Sequence, residues 1–128
     1  MKQTFIPLGT GLSDLFEFEQ LMKYNHERVH CLLFLHTTLE AEPKTSCILI
    51  MHPAQDKFQA MYSIFECIKY PYHGQSKKYD MLKNWADQYN IKVIEHEIKS
   101  KQHFYEDELY YQYLTGVLRL QRIIPPMY

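Results

Sequence analysis

The residues most able to do chemistry are seven histidines and three cysteines. His30 and His52 flank a polar loop. In a hairpin symmetric about Ala41, with Thr37 facing Thr45, these two histidines also face each other. Two imidazoles opposed on a ladder can share a metal ion or a proton, so His30 and His52 are the candidate metal ligands. A third ligand does not accompany them, and a one-residue slip in register would send one ring to the other face. His36 falls toward the loop with Glu40 and Glu42. His103, Glu106 and Asp107 have the spacing of adjacent helical turns, but acids there also serve simply as a favourable helix start. The HExxH frame of a zinc protease is absent, as are a phosphate loop and a serine–histidine–acid order in a recognisable context. No catalytic residue and no cofactor is assigned.

Cys31, Cys47 and Cys67 each sit within an apolar run and lack CxxC spacing. They read as small buried thiols, which fits a reducing cytoplasm. A nucleophilic role would require a neighbour that stabilises the thiolate.

Tyrosine is the outlier of the composition, with 11 Tyr and 7 Phe against 1 Trp. Four of them, Tyr105, Tyr110, Tyr111 and Tyr113, fall in one predicted helix. Adjacent residues such as Tyr110 and Tyr111 diverge by about 100° around a helix axis, so the four rings cannot all face a sheet. Tyrosine buries area at low entropic cost while keeping a polar atom, which suits interfaces. These four are therefore candidate interface residues of a homodimer. Packing against the N-terminal segment and a ligand platform are the alternatives.

Positioning these side chains requires a mixture of helices and strands. A first helix is predicted over 14–25, capped by Ser13 or Asp14 and buried through Leu15, Phe18 and Met22. Residues 28–37 and 45–52 read as strands covered on both faces, joined by a hairpin loop. Residues 58–70 fit a strand better than a helix, because aromatic and β-branched residues alternate with polar ones. Ser76 caps a helix over 77–89 that buries Tyr79, Leu82, Trp85, Ala86 and Tyr89, and Asn90 closes it. A strand over 91–98 and a last helix over 103–122 complete the chain, with Pro125 and Pro126 preventing continuation. The expected fold is α/β, a single domain of residues 1–128 with a mixed four-stranded sheet and the order α-β-β-β-α-β-α.

That order matches the minimal core of restriction-endonuclease-like nucleases, an analogy that does not by itself give a function. Such enzymes place a metal-binding acid on the second strand, and here residues 45–52 carry none. Asp56, Glu66 and Lys69 around the third strand have the wrong spacing. The enzyme alternative is thus a degenerate member of that class, or a metal-dependent hydrolase using histidines and acids of the sheet.

The 14 basic and 15 acidic residues give a net charge of −1 and no charged arm, which makes a nucleic-acid partner a poor fit. A nucleic-acid role would need Lys77, Lys78, Lys83, Arg119 and Arg122 on one face. No apolar stretch is long enough to span a membrane, and the N-terminus lacks a signal-peptide core. The segments Phe5–Gly11 with Asp14-Leu15, Arg28-Val29-His30, Leu32–Thr37, Asp107–Leu114 and Ile124-Pro125-Pro126 resemble a small uncharacterised protein family of low-GC Gram-positive bacteria. The resemblance spans essentially the full length and carries no established activity or site residue. The expected role is a small cytoplasmic binding or structural module acting as a homodimer, its small-molecule ligand unknown.

Overall fold

The computed structural model describes residues 2–37, 44–55, 57–69, 76–98 and 107–125. Five strands form one mixed sheet: β1 (Lys2–Pro7), β2 (Val29–Thr37), β3 (Lys44–Met51), β4 (Phe58–Lys69) and β5 (Val93–Ile98). Their spatial order is β1-β4-β3-β2-β5. β3 runs antiparallel to both of its neighbours, whereas β1 is parallel to β4 and β5 is parallel to β2. The helices are α1 (Leu12–Asn25), α2 (Lys77–Gln88) and α3 (Asp107–Leu120).

The expected four-stranded sheet is thus corrected to five, and the order to one that begins with a strand. β1 escapes sequence reading because Phe5 is its only buried residue and its partner β4 lies 56 positions away. A parallel edge strand of this kind has neither a hairpin turn nor an alternating pattern to announce it.

Local chemistry sets the helix ends. α1 begins at Leu12, two residues before the expected start, and the Asp14 carboxylate accepts from the Gly11 N–H at 3.0 Å. A Cβ at Gly9 would collide with that carboxylate, so glycine permits the cap. The Ser76 hydroxyl accepts from the Tyr79 N–H at 3.2 Å and starts α2. Asn90 ends it at φ 58°, and the Ile91 N–H reaches back to the Ala86 carbonyl at 2.7 Å. That geometry satisfies carbonyls left over at a helix C-terminus.

Residues 58–69 are strand throughout, because β4 lies between β1 and β3 and packs side chains on both faces. Glu66 interrupts it at φ 52° where the register with β3 shifts. The Ser46 hydroxyl accepts the Glu66 N–H at 3.0 Å, satisfying a donor that the shifted ladder leaves over.

α1 and α2 cover one face of the sheet, with Leu15, Phe18, Met22, Leu82 and Ala86 packing on Leu32, Phe34 and Leu49. α3 covers the other, with Tyr110, Leu114 and Leu118 on Leu33, Ile48 and Met61. β2 and β3 are buried on both faces, as expected, with His30 and Lys44 the residues only partly covered. Each fully buried aliphatic side chain there contributes about 1.5–3 kcal/mol. Two ends of the sheet result. The start end holds the beginnings of β2 and β5 and the end of β3, and the finish end holds the reverse.

Candidate functional site

The two ends of the sheet each carry a histidine cluster. At the finish end His36 is 4% exposed and both of its ring nitrogens are engaged. An ionised carboxylate only accepts, so His36 donates from Nε2 to Glu95 Oε1 at 2.9 Å. Nδ1 then accepts the Thr45 hydroxyl at 2.6 Å. Tyr79 donates its hydroxyl to the second Glu95 oxygen at 3.0 Å. Hydroxyl, imidazole and carboxylate stand in the order of a nucleophile relay. Thr45 is fully buried, however, so its oxygen faces the core and not a substrate. The cluster ties β2, β3, β5 and α2 together at one corner.

At the start end His30 and His52 do come together, with ring centroids 5.2 Å apart and the rings edge to face. The register that achieves this is not the symmetric one. Thr37 pairs with Lys44 and His36 with Thr45, one residue away from the expected alignment. On that register alone, His30 and His52 would point to opposite faces. A bulge between Val29 and Cys31 adds one residue to β2 and returns both rings to the α3 face. His30 is partly buried. Burial, then His52, then Lys92 hold its pKa below the ordinary histidine value. Beside it opens a cleft of about 580 Å³ lined by His30, Arg119, Arg122, Ile123, Ile124 and Pro125. Among the described residues no group of three or more His, Cys, Asp or Glu is placed to hold a metal ion.

A family model described as a domain of unknown function, DUF7147, matches residues 1–124. The chain belongs to that family. No curated protein and no solved structure matches it significantly. In this DUF7147 chain, both histidine clusters therefore have to be read from their own geometry. No helix among the described residues is long and apolar enough to cross a membrane.

Tyr110 is 4% exposed and packs in the core, where burial pushes its hydroxyl up to about 12. Tyr111 stacks on Phe5 at 5.4 Å and on Phe65 at 5.3 Å. Tyr111 thus packs against the N-terminal strand. Tyr113 is half-buried on the helix. Leu109 is 48% exposed. Tyr105, His103, Glu106, Glu40, Glu42 and Asp56 lie outside the described residues, as do the side chains of Asp107 and Lys69.

The three cysteines are free and buried. Burial raises Cys31 to about 12 and Cys67 to about 11, and pushes Cys47 well above its ordinary value. They are thiols near neutral pH and not the thiolates that covalent chemistry needs. The element order of the nuclease analogy is present from α1 to β5. β3, KTSCILIM, carries no carboxylate, and Glu66 is taken up by the bulge. The five cations posited for a nucleic-acid face separate. Lys77, Lys78 and Lys83 lie on α2, whereas Arg119 and Arg122 lie at the end of α3 across the sheet.

The residues that sequence reasoning missed are Glu95, Thr45 and Tyr79 around His36, and Arg122 with Ile123 beside His30. The first group is joined by the parallel pairing of β2 with β5, which leaves no local signal. Arg122 reaches the site because the chain turns back after α3, with Arg122 itself at φ 58°.

Proposed function

We propose that the chain, acting as one domain, is a cytoplasmic binding module that works as a homodimer through the outer side of α3. The observation that carries this reading is an apolar stripe built around a glycine. Leu109, Tyr113, Gly116 and Leu120 follow one another at i, i+4, i+7 and i+11, one side of a helix. Leu120 is 83% exposed and Leu109 48%. A Cβ at Gly116 would have no neighbour among the described residues within 4 Å beyond its own helix. Glycine inside a helix costs about 1 kcal/mol relative to alanine, and nothing among the described residues crowds the position enough to require it there.

A second copy supplies a reason. Tyr113 and Gly116, and likewise Leu109 and Leu120, are symmetric about the same point on α3. Two antiparallel copies related by a two-fold axis would set each Tyr113 ring over the partner's missing side chain and each Leu109 against a Leu120. The tyrosine surplus supports this interface through Tyr113, with Tyr110 excluded. A cytoplasmic setting is supported by the three buried free thiols.

Sedimentation equilibrium at micromolar concentration tests the reading. The wild type should be dimeric and Leu120→Asp monomeric. Gly116→Ala should raise the unfolding free energy by about 0.5–1 kcal/mol, as helix propensity dictates, while weakening the dimer. A monomeric wild type, or a Gly116→Ala variant that dimerises as tightly as the wild type, overturns it.

A further inference from the structure

We propose that the cleft at the start end of the sheet binds a phosphomonoester dianion, its phosphate held by Arg119, Arg122 and His30. This goes beyond the dimer and rests on the binding-module reading only in naming what is bound. The cleft gathers cations from every element that reaches it. α3 and the turn after it supply Arg119 and Arg122, and β2 supplies His30. His52 from the end of β3 stands against His30. Lys92, just before β5, is close enough for its charge to act on both His30 and Cys31. Among the described residues, no carboxylate lines the cleft.

Two features separate this group from an ordinary solvated surface. First, Arg119 is anchored: its Nε donates to Gln3 Oε1 at 2.7 Å, and Gln3 Nε2 in turn donates to the Pro125 carbonyl at 3.0 Å. A guanidinium fixed through Nε keeps its terminal nitrogens for a second acceptor, and a fork of that shape matches a phosphate. Second, His30 is partly buried and stands in the cleft wall with its ring edge to face against His52. Positive neighbours repel a divalent cation as they repel a proton, so this pair of histidines suits an anion better than a metal. A monoanion would leave most of the local positive charge uncompensated, and a dianion neutralises more of it. Ile123 and Pro125 add an apolar wall, which favours a phosphate on a small apolar body over a free ion.

NMR of the His30 imidazole, titrated with inorganic phosphate and with phenyl phosphate, tests the site at constant ionic strength against chloride. Both probes should give saturable shifts, with phenyl phosphate several-fold tighter. Affinity for phenyl phosphate should rise as the pH falls from 8 to about 7, a range in which the ester stays largely a dianion while a proton taken up by His30 adds a donor and a charge. Arg122→Ala and Arg119→Gln should each weaken binding about tenfold, the order of one lost charge-assisted contact. Non-saturating shifts equal to those with chloride, or full affinity in both arginine variants, overturn the site. Sedimentation of the same samples keeps the two readings apart, because a dimer that fails to bind phosphate sinks only the site.

Discussion

One sheet holds two histidine clusters, and they differ in what surrounds the ring, not in the residue. At the finish end His36 has a donor on one side and an acceptor on the other, and Tyr79 completes the Glu95 carboxylate. At the start end His30 stands edge to face with another imidazole and within reach of the Lys92 charge. The first cluster spends its polar capacity inside the chain. The second keeps a surplus of positive charge that something outside the chain can use. Buried polar groups that are fully paired hold a fold together, whereas unneutralised ones at an opening are what binding sites are made of.

The largest test of this contrast is to replace the two histidines alike. His36→Leu strands the buried Thr45 hydroxyl and one oxygen of Glu95, and should cost about 2–4 kcal/mol in urea unfolding. His30→Leu replaces a partly covered ring at the edge of a cleft and should cost less than about 1 kcal/mol. Equal losses would show that the two ends are not different in kind. Within the finish-end cluster, Thr45→Val leaves the buried Nδ1 of His36 without its donor, at about 1–2 kcal/mol. Tyr79→Phe should cost about 0.5–1 kcal/mol, since the released Glu95 oxygen has access to water. Reversal of that ranking would place the strength of the cluster in Tyr79 and not in the imidazole.

How much of this was legible in the sequence follows from the range of each contact. Strands β2 to β4, both interior helices and the buried thiols are written in short patterns, so residues such as Leu32, Ser76 and Asn90 could be placed in advance. β1 could not, because its pairing is parallel and distant and only Phe5 is buried. The meeting of His30 and His52 was legible as a possibility but for the wrong reason, since the bulge at the start of β2 corrects a register that the loop alone does not set. Glu95 and Arg122 carry no local mark. Each is brought to its histidine by a crossover or a return of the chain, and such closures depend on packing far from the residues concerned. The tyrosines show the converse. Their number pointed to an interface, but Phe5 and Phe65 claim Tyr111 within the chain, and the helix period had to be read together with burial to find the outer stripe.

The smallest expected effect isolates the repulsion within the start-end pair. Burial is the first cause that holds His30 below the ordinary histidine value, and the charge of His52 is the second. The folded chain therefore takes up this proton less readily than the unfolded one. Its contribution to stability is complete above the ordinary value of 6.5, declines as the pH falls toward the depressed folded value, and levels off below it. His52→Gln removes the second cause and leaves burial and Lys92 in place. The His30 midpoint, read from its imidazole resonances, should rise part of the way toward 6.5, and the acid-side loss of stability should become shallower. Lys92→Gln should act in the same direction and by less, being the third cause. A midpoint unmoved in both variants would assign the depression to burial alone, and His30 would then differ from His36 in hydrogen bonding but not in charge.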